Sequence, residues 1–137
     1  MIALGVDLGH ARTGLAVSDS TGFLASSLCV ITEYNDEKLI DKIAFKAAES
    51  KAELLVVGLP RNMDGSEGES ALRARDIAKK LGEKTGLEYV MQDERGTTVT
   101  AHAYLSSGSV YGKKRKQKVD AVAACIILQD YLDSVKG

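Results

Sequence analysis

Ile2-Ala3-Leu4-Gly5-Val6-Asp7-Leu8-Gly9-His10-Ala11-Arg12-Thr13-Gly14-Leu15-Ala16-Val17-Ser18 holds two apolar runs separated by a glycine-bearing turn. Ile2 to Asp7 reads as one strand and Thr13 to Ser18 as a second, which together predict a hairpin. Ser27 to Thr32 continues as a third strand. Asn35 then suits the cap of a helix running to about Ser50, with Leu39, Ile40, Ile43, Ala44 and Ala47 on one side. Glu53 to Gly58 carries Leu54-Leu55-Val56-Val57, apolar at consecutive positions, as a strand covered on both faces requires.

Beyond it, Leu59 to Gly68 is rich in turn formers, and Ser66 followed by Glu69 has the spacing of a capping box. The helix it opens carries Ala74, Ile77, Ala78 and Leu81 and ends near Gly86. Leu87 to Gln92 is a fifth strand. Thr97 or Thr98 suits the cap of a short helix through Leu105, a Gly/Ser/Lys-rich loop follows, and Val119 to Val135 forms a final helix. Three meandering strands followed by strand–helix alternation predict an α/β protein: a five-stranded mixed sheet with helices on both faces.

With 137 residues, of which 45% are hydrophobic and 27% charged, the chain is the size of one ordinary domain with a packed core, so residues 1–137 are expected to form a single unit. The formal net charge is −1, so any attraction to a polyanion must come from a local patch. Cys29 and Cys125 sit in apolar surroundings without zinc or redox spacing and read as reduced core residues. No stretch has the form of a secretory leader or the length of a membrane span, so the expected compartment is the cytoplasm, with no membrane partner.

The unusual acids stand at element ends. Asp7 closes the first strand, where a carboxylate either caps the turn or serves as a ligand. Asp93 and Glu94 follow the fifth strand, as a solvated pair capping the next helix or as site residues; Glu94 has a further alternative partner in Arg95. Asp120 interrupts the apolar run Val119-Asp120-Ala121-Val122-Ala123-Ala124-Cys125-Ile126-Ile127. At a helix start it would interact favourably with the dipole, by roughly 0.3–1 kcal/mol if exposed, but that leaves its apolar neighbours unexplained. In the second reading three carboxylates, from Asp7, the Asp93-Glu94 pair and Asp120, converge on one sheet edge, where their repulsion calls for a divalent cation. Oxygen-only ligands favour Mg2+, or Mn2+, over zinc. Two such ions roughly 3.5–4 Å apart serve in-line phosphodiester hydrolysis.

Four strings taken together carry a family likeness: Gly5-Val6-Asp7-Leu8-Gly9-His10-Ala11-Arg12-Thr13-Gly14-Leu15-Ala16-Val17-Ser18-Asp19, Val56-Val57-Gly58-Leu59-Pro60-Arg61-Asn62-Met63-Asp64-Gly65-Ser66, Asp93-Glu94-Arg95-Gly96-Thr97-Thr98 and Lys118-Val119-Asp120-Ala121-Val122-Ala123-Ala124. In this order and spacing they closely resemble the YqgF (RuvX-like) family over nearly the whole chain. The resemblance implies a fold like RNase H and the resolvase RuvC, and a metal-dependent nuclease maturing the 5′ end of pre-16S rRNA. It maps the family's acids onto Asp7, Glu94 and Asp120, with Asp93 a weaker fourth. Two departures stand beside these acids: Gly96 where a bulky apolar residue is common, and Leu8 in place of a frequent aromatic.

Around the acids lie groups suited to nucleic acid. Lys113, Lys114, Arg115, Lys116 and Lys118 form a basic run before Asp120, read as a phosphate-neutralising loop or as a solvated charge run. Tyr111 beside them suits base stacking or packing on the domain. Arg12 and Arg95 suit phosphates or structural ion pairs. The loop from Pro60 to Gly68 is longer than a minimal connection and is assigned to substrate positioning. His10 and His102 are too isolated for a metal site.

The runner-up substrate is branched DNA, as for a Holliday junction resolvase, which would act as a symmetric dimer; otherwise a monomer or weak homodimer is expected. A non-catalytic RNA-binding module is a further alternative. So is nucleotide binding of the actin and sugar-kinase type, which Asp7-x-Gly9 also resembles, although that type needs two lobes and this chain is short for them.

Overall fold

The computed structural model describes residues 1–62, 64–94 and 112–136, with side chains for all of these except 112–121 and 136. Strands β1 (Ala3–Asp7), β2 (Arg12–Ser18) and β3 (Ala25–Thr32) lead into helix α1 (Asp36–Glu49). Strand β4 (Leu54–Leu59), helix α2 (Glu69–Thr85) and strand β5 (Glu88–Asp93) follow, and helix α3 (Gly112–Lys136) ends the described chain. The sheet order is β3-β2-β1-β4-β5. The first three strands pair antiparallel, while β4 lies parallel to both β1 and β5. This is the predicted α/β mixed sheet. The predicted short helix from Thr97 or Thr98 to Leu105 lies outside the described residues.

Alternate residues of a strand point to opposite faces, and the two faces are built differently. On one, Leu4, Val6, Leu15, Leu55 and Val57 pack under Leu39 and Ile43 of α1 and Ile77 and Leu81 of α2. On the other, Ala3, Ala16, Leu54 and Val56 meet Ala124, Ile127, Leu128 and Leu132 of α3. The α3 face is lined by smaller side chains, so the helix comes close. A Cβ on Gly5 would stand 2.8 Å from Leu128 Cβ and 3.1 Å from the Ala124 carbonyl oxygen. No helix among the described residues is long and apolar enough to cross a membrane.

Asn35 caps α1, its Oδ1 accepting from the Lys38 amide at 2.9 Å. Gly86 ends α2 in the left-handed region at φ 73°, where the absence of a Cβ removes the usual penalty. The expected capping box does not form, because α2 starts at Glu69 with Gly68 as N-cap and no side-chain cap bond. Glu67 is held extended by an antiparallel bridge to Arg61, and the Ser66 hydroxyl donates to Asp64 Oδ1 at 2.6 Å instead.

A second correction concerns the basic run. Lys113, Lys114, Arg115, Lys116 and Lys118 belong to the opening turns of α3 rather than to a loop. Lys, Arg and Gln are good helix formers, and no Gly or Pro interrupts them after Gly112. Asp120 is therefore well inside the helix, and the first turn of α3 holds no acid. The helix-terminus reading of Asp120 falls, since that interaction fades beyond the first turn. Cys29 and Cys125 are free, as expected, but half-buried at the margins of the two cores rather than inside them.

Candidate active site at the carboxyl edge of the sheet

Strand parity decides which acids meet. Gly5 faces α3, so Asp7, two residues on, projects to the same face. Register pairs Val6 with Val57, which sets Asp7 beside Gly58; Gly58 in turn pairs with Gln92 and Leu59 with Asp93. Glu94 follows β5 and shares the parity of Gln92. Its amide donates to the Leu59 carbonyl at 3.2 Å, fixing the backbone against the end of β4.

The Glu94 carboxylate lies directly over Gly58. A Cβ there would stand 2.8 Å from Glu94 Oε2 and 2.7 Å from Ile127 Cδ1. The missing side chain leaves a notch through which Glu94 reaches Asp7, and the two carboxyl groups are hydrogen-bonded. Burial, the neighbouring Asp7 charge, the hydrogen bond to Asp7 and the Asp93 charge together push the Glu94 carboxyl up to about 9. At neutral pH in the absence of a cation, Glu94 keeps its proton and the pair shares it.

Asp93 is set apart. It has the opposite strand parity and stands 3.9 Å from Arg61 Nη1. Asp120 occupies the helical position four residues before Ala124 and eight before Leu128, both against Gly5. Tyr131, Leu132 and Val135, further along α3, line a small cavity with Met1 and Ala3 at the start of β1. Running back from Leu132 through Leu128 and Ala124, the helix thus tracks β1 from its Ala3 end towards its Asp7 end. Asp120 is the next position on that stripe, one turn beyond Ala124. Its side chain lies outside the described residues, and among those residues no cluster of three His, Cys, Asp or Glu groups occurs.

Of the expected nucleic-acid contacts, Arg12 begins β2 just after the turn of the first hairpin, and pairs with Thr32 at the open end of the β2–β3 hairpin. The lysines and Arg115 occupy the N-terminal turns of α3, with side chains beyond the description. Arg95, Gly96, His102 and Tyr111 lie outside the described residues. Leu8 packs half-buried against the α1/α2 core, where the resemblance raised a question of local packing.

Three residues escaped sequence reading. Gly58 was legible in principle, since a glycine within a fully buried strand marks a close approach. Arg73 of α2 donates to the Gly9 carbonyl at 2.9 Å and to Asp36 Oδ1 at 2.8 Å, tying down the turn that follows Asp7; nothing local in the sequence announces this. Arg61 leaves β4 beside Glu94. Its amide donates to the Leu59 carbonyl at 3.0 Å, the acceptor that Glu94 also uses.

A protein from Clostridium botulinum (strain Eklund 17B / Type B) named "Putative pre-16S rRNA nuclease" is 40% identical over 135 residues, covering 98% of each chain. One of the same name from Clostridium beijerinckii is 42% identical, again over 98% of both. The fold is shared with the solved structure of Thermus thermophilus RuvC in complex with Holliday junction substrate, at a TM-score of 0.64 and 14% identity, covering 100% of this chain and 96% of that one. A family model described as "RuvX: Holliday junction resolvase" matches residues 1–134. Through that match and the full-length relatives, the chain belongs to the RuvX family.

Proposed function

We propose that this chain is a divalent-metal-dependent nuclease that hydrolyses phosphodiester bonds and trims the 5′ end of precursor 16S rRNA. The observation that carries the reading is the hydrogen-bonded Asp7–Glu94 pair seated over Gly58. Two carboxyl groups this close cannot both ionise at modest cost unless a cation joins them. An oxygen-only donor set at a sheet edge fits Mg2+ or Mn2+ better than zinc. Asp7, Glu94 and Asp120 are assigned as the ligands, and the helical position of Asp120 on the stripe facing β1 supports its inclusion. Asp93 is left out, given its opposite parity and its Arg61 neighbour.

The cation, when bound, supplies Lewis-acid stabilisation of phosphoryl oxygens and a more acidic water. Asp7 acts from a central strand whose position is fixed by pairing on both sides, so its carboxylate orients with little freedom. Glu94, protonated beside Asp7 without a cation, would hold the cation as a carboxylate alongside Asp7. Arg12, Arg95 and the α3 residues Lys113, Lys114, Arg115, Lys116 and Lys118 are assigned to neutralise backbone phosphates. The RNA substrate is supported by the names of relatives at about 40% identity. Branched DNA is the second reading, favoured by the family description.

Purified protein is assayed on precursor 16S rRNA and on four-way DNA junctions, with Mg2+ or with EDTA. Cleavage of the RNA in Mg2+ alone is expected, with Asp7→Asn losing at least about 100-fold in rate while still binding RNA. Junction cleavage without RNA cleavage would transfer the assignment to branched DNA. Full activity of Asp7→Asn, or undiminished cutting in EDTA, would overturn the metal-dependent mechanism.

A further inference from the structure

Arg61 stands where the β4–α2 loop leaves the sheet, and its guanidinium makes only long contacts, to Glu67 and to Asp93. Its Nε stands 3.5 Å from Glu67 Oε2 and its Nη1 3.9 Å from Asp93 Oδ2. The Nε is buried, and its contact with Glu67 is too long for a strong hydrogen bond. The other arginines of this side behave differently. Arg75 takes Glu67 in a bidentate grip at 2.7 and 2.8 Å, and Arg73 holds Asp36 and the Gly9 carbonyl. Glu67 is therefore already satisfied by Arg75, and Arg61 is a second cation left with loose contacts.

The loop that carries Arg61 is tied to itself. The Asn62 amide donates to the Ser66 carbonyl at 2.9 Å, the Gly65 amide to the Asn62 carbonyl at 2.8 Å, and Asn62 Nδ2 to Ser66 Oγ at 2.9 Å. With the Arg61–Glu67 bridge, these bonds hold the backbone at Arg61 independently of its side chain. The side chain is 34% exposed and its contacts are long, so it can move without breaking the loop.

Resting on the nuclease reading, we infer that Arg61 is a phosphate-binding residue that grips the nucleic-acid backbone next to the reacting phosphodiester. A phosphodiester offers two oxygens to the planar guanidinium fork, the bidentate, charge-assisted geometry that neither Glu67 nor Asp93 provides here. The shared Leu59 acceptor keeps the Arg61 backbone in register with Glu94, which ties the guanidinium to the end of the sheet that carries the acid pair.

The test compares wild type, Arg61→Gln, Arg61→Lys and Arg75→Gln by fluorescence anisotropy, using a fluorescein-labelled RNA duplex with a single-stranded 5′ extension, in EDTA across a salt series. Arg61→Gln is expected to bind several-fold more weakly and to lower the slope of log K against log salt by about 0.7–0.9, the loss of one phosphate contact. Arg61→Lys keeps the slope, since the charge remains, but loses part of the affinity with the fork. Arg75→Gln, which breaks a tight ion pair away from the phosphate, lowers the melting temperature and leaves the slope unchanged. Were Arg61→Gln to fail to fold, wild-type affinity in Arg61→Lys would by itself overturn the assignment. Wild-type affinity and slope in a folded Arg61→Gln would overturn it while leaving the nuclease reading intact. Absence of RNA binding by the wild-type protein would overturn this assignment together with the RNA substrate, and the junction assay would then decide the nuclease reading.

Discussion

A single missing side chain shapes the candidate site. Gly58 has no left-handed backbone to explain it; the space its Cβ would fill is taken by the Glu94 carboxylate and by Ile127. Gly58→Ala is therefore expected to push Glu94 off Asp7 and to strain the α3 contact, costing about 1–3 kcal/mol of stability from overpacking. Cleavage should fall by more than the folded fraction does, which urea denaturation and a nuclease assay on the same samples will separate. An Ala variant with wild-type activity would mean that Glu94 need not sit in that notch. The neighbouring pair of acids illustrates the same dependence on position: Asp93 and Glu94 are adjacent in sequence, yet parity sends one towards Arg61 and the other towards Asp7. Reading the acids as a group was possible from the sequence, but choosing between these two required the register of β5 on β4.

Helix α3 joins the apolar and the charged parts of the chain. Its later turns pack on the small-residue face of the sheet through Ala124, Ile127, Leu128 and Leu132, while its opening turns carry the basic run. Because those cations sit on a helix rather than a loop, their spacing is set by the helical repeat, and they follow the same rod that positions Asp120. The double variant Lys113→Gln/Lys114→Gln is expected to lower the salt slope of RNA binding by about 1.4–1.8, two phosphate contacts, with little change in thermal stability. An unchanged slope would assign these residues to a solvated face. The helix ran seven residues further towards its N-terminus than the apolar pattern suggested. Periodicity marks only the buried part of a helix, and a polar opening segment made of good helix formers leaves no such mark.

At the scale of the whole molecule, the acid pair links folding to pH and to cations. Glu94 is pushed up to about 9 from an ordinary value of 4.5, so between those values the folded chain holds a proton that the unfolded chain has released. Its contribution to stability is present below the unfolded value and is lost as pH rises towards 9. In EDTA the thermal midpoint should accordingly fall between about pH 5 and pH 9, apart from the titration of other groups. Mg2+ should raise the midpoint most at the alkaline end, where the ionised pair costs most and binds best. Glu94→Gln should flatten both dependences, and scanning calorimetry of the two proteins across that range will show whether it does; equal slopes would remove Glu94 as the titrating group. The sequence by itself determined the order of the described strands and the two-sided burial of β4, because side-chain periodicity and residue chemistry are local properties. Only the tertiary structure decided that Gly58 is the notch, that Glu94 rather than Asp93 meets Asp7, and that Arg61 and Arg73 border the site. Those facts depend on the register between strands and the closeness of one helix to the sheet, distances between residues far apart in the chain that no local pattern encodes.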